Sequence, residues 1–117
     1  MQKSILIISN EASVRDMLAN LLADAGHRAS LASSGEEAVK IVTNSAQDFV
    51  LCEQFLPDCS GVELKKRLLR LSPKSRVIVL SSFTIVRSSD DVLRFGSSDF
   101  ILDQRELLDL LEAAGEE

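Results

Sequence analysis

The chain has no tryptophan, no tyrosine and only 5 phenylalanines among 117 residues. An aromatic content of 4% leaves little from which to build the stacking platforms that hold single-stranded nucleic acid. Positive charge is also scarce: 13 Lys and Arg face 18 Asp and Glu, for a net charge of −5 and a pI near 4.9. That balance disfavours non-specific attraction to a phosphate backbone and points to a protein partner instead. Histidine occurs once, at His27, and cysteine twice, at Cys52 and Cys59. Metal sites of the Cys/His-cluster type are therefore excluded. A catalytic thiol needs a base beside it, and His27 falls in a distant turn where it reads as a surface residue. Cys52 reads as a small core hydrophobe and Cys59 as a loop thiol, both reduced in a cytosolic setting. No apolar run approaches the roughly 20 residues of a membrane span. The opening apolar run is too short for a secretory signal and has no small-residue cleavage site behind it. A cytoplasmic location is the expectation.

What the sequence does contain is apolar and strongly patterned. Hydrophobic residues make up 45% of the chain and mean hydropathy is +0.11, which excludes disorder. A chain of this length forms one domain, residues 1–117, and buries roughly two-thirds of its unfolded surface. The closing Gly115-Glu116-Glu117 reads equally as a free end or as the start of a linker.

The stretch around which the rest is organised runs through residues 48–61. Phe49-Val50-Leu51-Cys52 is a short apolar run that stops abruptly at Glu53. A Pro57-containing loop follows, and Ser60-Gly61-Val62-Glu63 then opens a helix with a capping box. This is the pattern of a central parallel strand delivering an acid to the rim of a sheet, where sites form in open α/β folds.

The flanking segments repeat the alternation. Residues 3–8 read as a buried strand without polar alternation, as a parallel sheet requires. Val14, Met17, Leu18, Leu21, Leu22 and Ala25 recur at helical spacing, and Gly26 closes that helix. A second strand spans 28–32, and Ser34-Gly35-Glu36-Glu37 caps a helix through Ala38, Ile41 and Val42. Val62, Leu64, Leu68 and Leu71 line the third helix, which ends before Ser72-Pro73. A fourth strand spans 76–81. The spacing then predicts a fourth helix over 88–95 with a thin stripe of Val92, Leu93 and Phe95, closed by Gly96. A fifth strand over 100–102 and a last helix through Leu107, Leu108, Leu111 and Ala114 complete the pattern. Five strands alternating with five helices predict a parallel five-stranded sheet with helices on both faces, the doubly wound flavodoxin-like α/β class. Phe55 and Phe83, in loops, read as caps on the core.

Nucleotide motifs are missing from the loops. There is no G-x-G-x-x-G after the first strand and no G-x-x-x-x-G-K-[ST], so dinucleotide and P-loop readings fail. Neither G-x-S-x-G nor a metal cluster appears.

Taken together, Ile5-Leu6-Ile7-Ile8, Ser34-Gly35-Glu36-Glu37-Ala38, Asp48-Phe49-Val50-Leu51, Leu56-Pro57 with Gly61, Val77-Ile78-Val79-Leu80-Ser81 and Asp99-Phe100 resemble, in order and spacing, the receiver domain of two-component response regulators. The resemblance implies a phospho-acceptor aspartate at the end of the third strand and two Mg²⁺-holding acids after the first. It also implies a Ser or Thr after the fourth strand and a Lys after the fifth, both on the phosphoryl oxygens. Carried over residue by residue, most of this is replaced. The acid pair becomes Ser9 and Asn10, the acceptor becomes Glu53, and the lysine becomes Asp103. Ser81 keeps the switch hydroxyl and Phe100 matches the switch aromatic.

Mg²⁺ favours hard anionic oxygens, and Ser9 and Asn10 offer neutral ones. Without the ion, little offsets charge developing on a transferred phosphoryl group. The expectation is a degenerate receiver, or pseudo-receiver, in bacterial phosphorelay signalling. It would have no cofactor, metal or enzymatic activity, and it would act as a protein-interaction module, with an output domain, a signalling protein or a second copy as partner. Two other readings stay open: a phospho-acceptor receiver that uses Glu53, and small-ligand binding in the vacated acidic pocket. Glu53 is expected to reach toward Ser81. The resemblance implies docking, including homodimerisation, through a face carrying Arg87, Asp91, Arg94, Phe100, Arg105 and Asp109.

Overall fold

A computed structural model of the chain describes residues 2–79 with their side chains, together with the backbone of residues 80, 82–87, 93–96 and 101–103. Four strands, β1 (Ser4–Ile8), β2 (Arg28–Ala32), β3 (Phe49–Glu53) and β4 (Arg76–Leu80), form a parallel sheet in the order β2-β1-β3-β4. Helices α1 (Ala12–Asp24), α2 (Gly35–Asn44) and α3 (Gly61–Leu71) make the connections. The described helices are none of them long and apolar enough to cross a membrane.

The unbroken apolar run of β1 follows from its central place, because successive side chains leave opposite faces of a strand and both faces are covered. Ile5 and Ile7 join Phe49 and Leu51 of β3 beneath Val14, Leu18 and Leu22 of α1. Leu6 and Ile8 join Val50 and Cys52 on the other face, against Ala38 and Val42 of α2 and Leu64 and Leu68 of α3. One alternating pattern on two strands thus builds two cores. Burying each Leu or Ile fully contributes roughly 1.5–3 kcal/mol.

Helix ends agree with the sequence signals. Ser34 Oγ accepts from the Glu37 N–H and Ser60 Oγ from the Glu63 N–H, both at 3.2 Å. Gly26 takes a left-handed φ of +89° just beyond α1, a conformation that a side chain would strain.

The five-stranded parallel sheet is not what the described residues form. After β4 the chain makes β5 (Ser82–Arg87), β6 (Leu93–Gly96) and β7 (Ile101–Asp103), a separate antiparallel sheet in the order β5-β6-β7. Ser82, Phe83 and Thr84, expected in the loop that leaves the fourth strand, therefore open strand β5 instead. Leu93, Arg94 and Phe95 are strand where the thin apolar stripe predicts helix, and Ile101 and Leu102 pair antiparallel with β6. The reason lies in local preference: Phe83, Thr84, Ile85 and Val86 are aromatic or β-branched and favour a pleated strand, while three apolar residues make a weak helix stripe. The expected last helix, through Leu107 to Ala114, lies outside the described residues.

Two smaller expectations are also corrected. His27 is buried, only 5% exposed, rather than a surface turn residue, and its Nδ1 accepts from the Lys3 N–H at 3.2 Å. Phe55 caps nothing and is 76% exposed.

Candidate functional site

In the order β2-β1-β3-β4 the chain winds outward in both directions from the β1/β3 pair, so the crevice at the carboxyl ends of those two strands is the topological switch point. Ser9, Asn10 and Glu53 meet there. Ile8 pairs with Cys52 across the sheet, so Ser9 follows β1 beside Glu53, the last residue of β3.

The geometry is that of a carboxylate held by neutral donors. Glu53 Oε2 accepts from Ser9 Oγ at 3.1 Å and from the Asn10 N–H at 3.2 Å. Ser9 is fully buried, and its hydroxyl also accepts from the Glu11 N–H at 3.2 Å. The Ser9 carbonyl in turn accepts from Arg15 Nη1 at 2.6 Å, a charge-assisted bond that fixes the loop leading into α1. The positions expected to supply acids supply hydrogen-bond donors instead. No sequence signal separates these roles, because a serine both donates and accepts and its choice is made by what faces it.

This donor set does not fit Mg²⁺. Ser9 Oγ commits its proton to Glu53 and a lone pair to Glu11, Asn10 is engaged through its backbone N–H, and one carboxylate remains for a cation that prefers several. Among the described residues, no three His, Cys, Asp or Glu side chains converge as a metal site would require.

The loop after β3 is pinned at two points. The Gly61 N–H donates to the Gln54 carbonyl at 2.7 Å, and a Cβ on Gly61 would lie 2.6 Å from the Glu53 carbonyl oxygen. Only glycine lets α3 start so close to the end of β3. Asp58 makes the second attachment, which the sequence does not reveal. Its two carboxylate oxygens accept from the Gly35 and Glu36 N–H groups of α2, each at 2.9 Å. With Ser34 on the Glu37 N–H, the first three amides of α2 are all satisfied, and an anion sits where the helix dipole favours one. These backbone bonds hold the Asp58 carboxyl below its ordinary value of 3.8.

Neither thiol is poised for chemistry. Burial pushes Cys52 up to about 12, with the neighbouring Cys59 and Glu53 adding to the rise. Desolvation also raises Cys59, helped by Asp58.

Ser81, Asp91, Phe100, Arg105 and Asp109 lie outside the described residues, so the expected Glu53–Ser81 approach does too. Arg87 and Arg94 stand on strands β5 and β6 rather than on a helix, and Arg94 is the register partner of Asp103 in β7. The structure thus brings Ser9, Asn10 and Glu53 together and places Asp103 in the antiparallel sheet.

Residues 5–114 match the family described as the response regulator receiver domain. The chain belongs to that family. It is 28% identical over 103 residues to the chemotaxis protein CheY of Thermotoga maritima, covering 87% of this chain and 86% of that protein. It is 32% identical over 116 residues to the phosphate regulon transcriptional regulatory protein PhoB of Pseudomonas aeruginosa. The chain spans 51% of PhoB and 23% of ZraR of Klebsiella oxytoca, a transcriptional regulatory protein 27% identical to it. Among solved structures, a receiver domain protein from Clostridium thermocellum is similar at a TM-score of 0.63 and 28% identity, over 67% of this chain and 64% of that one. TrrA from Thermotoga maritima, solved in complex with Mg(2+)-BeF, is similar at the same TM-score and identity, over 67% and 68%.

Proposed function

We propose that this receiver domain has lost phosphoryl transfer and works in two-component signalling as a protein-interaction module, without enzymatic activity. The observation that carries this reading is the pairing of Glu53 Oε2 with Ser9 Oγ and the Asn10 N–H. In a phospho-acceptor site the carboxylate must be free to attack while cations neutralise the charge that develops. Here the acid stands at the acceptor position with its oxygen turned toward the loop after β1, held by the residues that replace the acid pair. Glu53 then serves as a tether that keeps the rim in a single arrangement. The Ser81 and Phe100 positions of the family's switch would be held in one relation, since no phosphoryl group arrives to bias them.

The expected partner is a signalling protein, an output domain or a second copy, docked on the face carrying Arg87, Asp91, Arg94, Phe100, Arg105 and Asp109. Opposite charges on one surface allow a self-complementary two-fold contact.

Incubation with acetyl phosphate and Mg²⁺ tests the reading. The intact mass is expected to stay unchanged, and a stoichiometric phosphoryl adduct that disappears in Glu53→Gln would overturn it. In parallel sedimentation runs, Arg94→Glu is expected to weaken association more at low salt than at high salt, because such charges act mainly through long-range attraction. Association untouched by this change would remove the assigned face.

A further inference from the structure

Ser9 and Asn10 are joined by one peptide group, and both of its polar atoms are engaged by charge. Its oxygen, the Ser9 carbonyl, accepts from Arg15 Nη1 at 2.6 Å. Its N–H, that of Asn10, donates to Glu53 Oε2 at 3.2 Å. A guanidinium thus stands on one side of a single amide and a carboxylate on the other. The amide dipole is negative at the carbonyl and positive at the N–H, so each charge strengthens the bond that the other makes. Ser9 is fully buried and Arg15 half-buried, which limits competition from water.

The place of Arg15 in its helix agrees with such a role. It is the fourth residue of α1, near the positive end of the helix dipole, where a cation is disfavoured. The first turn holds no acid to offset it. The Ser9 carbonyl supplies the negative end that the helix itself does not offer there.

We propose that Arg15 is a positioning residue for the rim: its charge, carried through the Ser9–Asn10 peptide, holds the Glu53 carboxylate on the loop after β1. A charge-assisted hydrogen bond is roughly twice as strong as a neutral one. Mutual polarisation along a chain of bonds adds roughly 10–30% per bond. The positive charge at position 15 is therefore the property that matters. Because the contact runs through one nitrogen, the point charge of a lysine can also serve. This role of Arg15 rests on the reading of Glu53 as a tether, yet the two fail separately. A phosphoryl adduct detected by mass would overturn that reading, while exchange at the Asn10 amide decides Arg15.

The test is native-state hydrogen exchange of the full chain, followed by NMR. Arg15→Gln replaces the cation by a neutral donor. Protection of the Asn10 amide is expected to fall about five-fold relative to that of Ile7, buried in β1, and its proton to move upfield. Arg15→Lys should recover most of that protection. Arg28→Gln, at the opposite end of the strands, should leave it unchanged. In a Glu53→Gln background the loss caused by Arg15→Gln should shrink to less than half, because the far charge is already gone. The proposal is overturned by unchanged Asn10 protection in Arg15→Gln, or by an equal fall at Ile7. Failure of Arg15→Lys to recover protection, a comparable loss in Arg28→Gln, or an undiminished loss in the Glu53→Gln background would each overturn it as well.

Discussion

The two ends of the β1/β3 pair are closed by the same chemistry. At the start, Asp48 Oδ2 accepts from the Ser4 N–H at 2.9 Å and from Ser4 Oγ at 3.2 Å. At the rim, Glu53 Oε2 accepts from Ser9 Oγ at 3.1 Å and from the Asn10 N–H at 3.2 Å. In both, a carboxylate of the β3 segment takes one serine hydroxyl and one backbone N–H from the β1 segment. Nothing about Asp48 suggests catalysis; it joins two chain segments where their ladder begins. At the rim Glu53 likewise joins two chain segments, the end of β3 and the loop after β1. The difference is one of burial: Ser9 is fully buried and Glu53 half-buried, whereas Ser4 is half-buried and Asp48 exposed. The rim joint is the drier of the two, and a hydrogen bond to a charged group weighs more where water competes less.

The largest effect is expected where the rim is most crowded. Gly61→Ala would drive a Cβ against the Glu53 carbonyl and the Val79 side chain, costing about 2 kcal/mol in urea unfolding. A loss of only a few tenths would mean that the β3–α3 loop yields easily, and that the rim is not held as Glu53 requires.

The comparison itself is broken or sharpened by removing charge at each end. Glu53→Gln is expected to destabilise by about 1 kcal/mol and Asp48→Asn by about 0.5 kcal/mol, since each amide keeps an acceptor but loses the charge assistance. Thermal melts of both variants decide. Stabilisation by Glu53→Gln, with Asp48→Asn still destabilising, would mark Glu53 as a strained functional acid rather than a joint.

The smallest effect concerns pH. Because bonds from Gly35 and Glu36 lower the Asp58 carboxyl in the folded state, its contribution is complete above the ordinary value of 3.8 and is lost as pH falls through the lowered folded value. Hydrogen exchange at the Gly35 and Glu36 amides should therefore lose protection as that acid range is entered. In Asp58→Asn this acid-dependent component should be gone. Protection that falls equally in both proteins would assign the loss to other carboxyls.

How much of this was legible follows from the distance over which each feature is encoded. The elements up to β4 are written locally: unbroken apolar runs for the buried strands, Val14, Leu18 and Leu22 at helical spacing for α1, and Ser34 and Ser60 three residues ahead of a glutamate for the next two helices. The position of Glu53 at a strand end, and with it the candidate rim, was readable for the same reason. Beyond β4 local signals compete. The βαβ alternation argued for a helix through Leu93 and Phe95, while the strand preference of Thr84, Ile85 and Val86 argued for the antiparallel pairing that the structure contains.

The sequence by itself determined the receiver family and the parallel sheet around β1 and β3, and it put Ser9 and Asn10 directly after the first strand. Tertiary structure alone decided what those two residues do. Ser9 could have faced water or a ligand, but the β1–β3 register sets its hydroxyl against a carboxylate 44 residues away. Asp58 reads as an ordinary loop acid until the fold carries the N-terminus of α2, more than 20 residues back, to within 2.9 Å of it. His27 reads as a turn residue until burial leaves its ring an N–H of Lys3 to accept from. A hydrogen bond depends on where both partners stand, and for these residues the partner's place is set by packing of the whole sheet rather than by any neighbour in the chain.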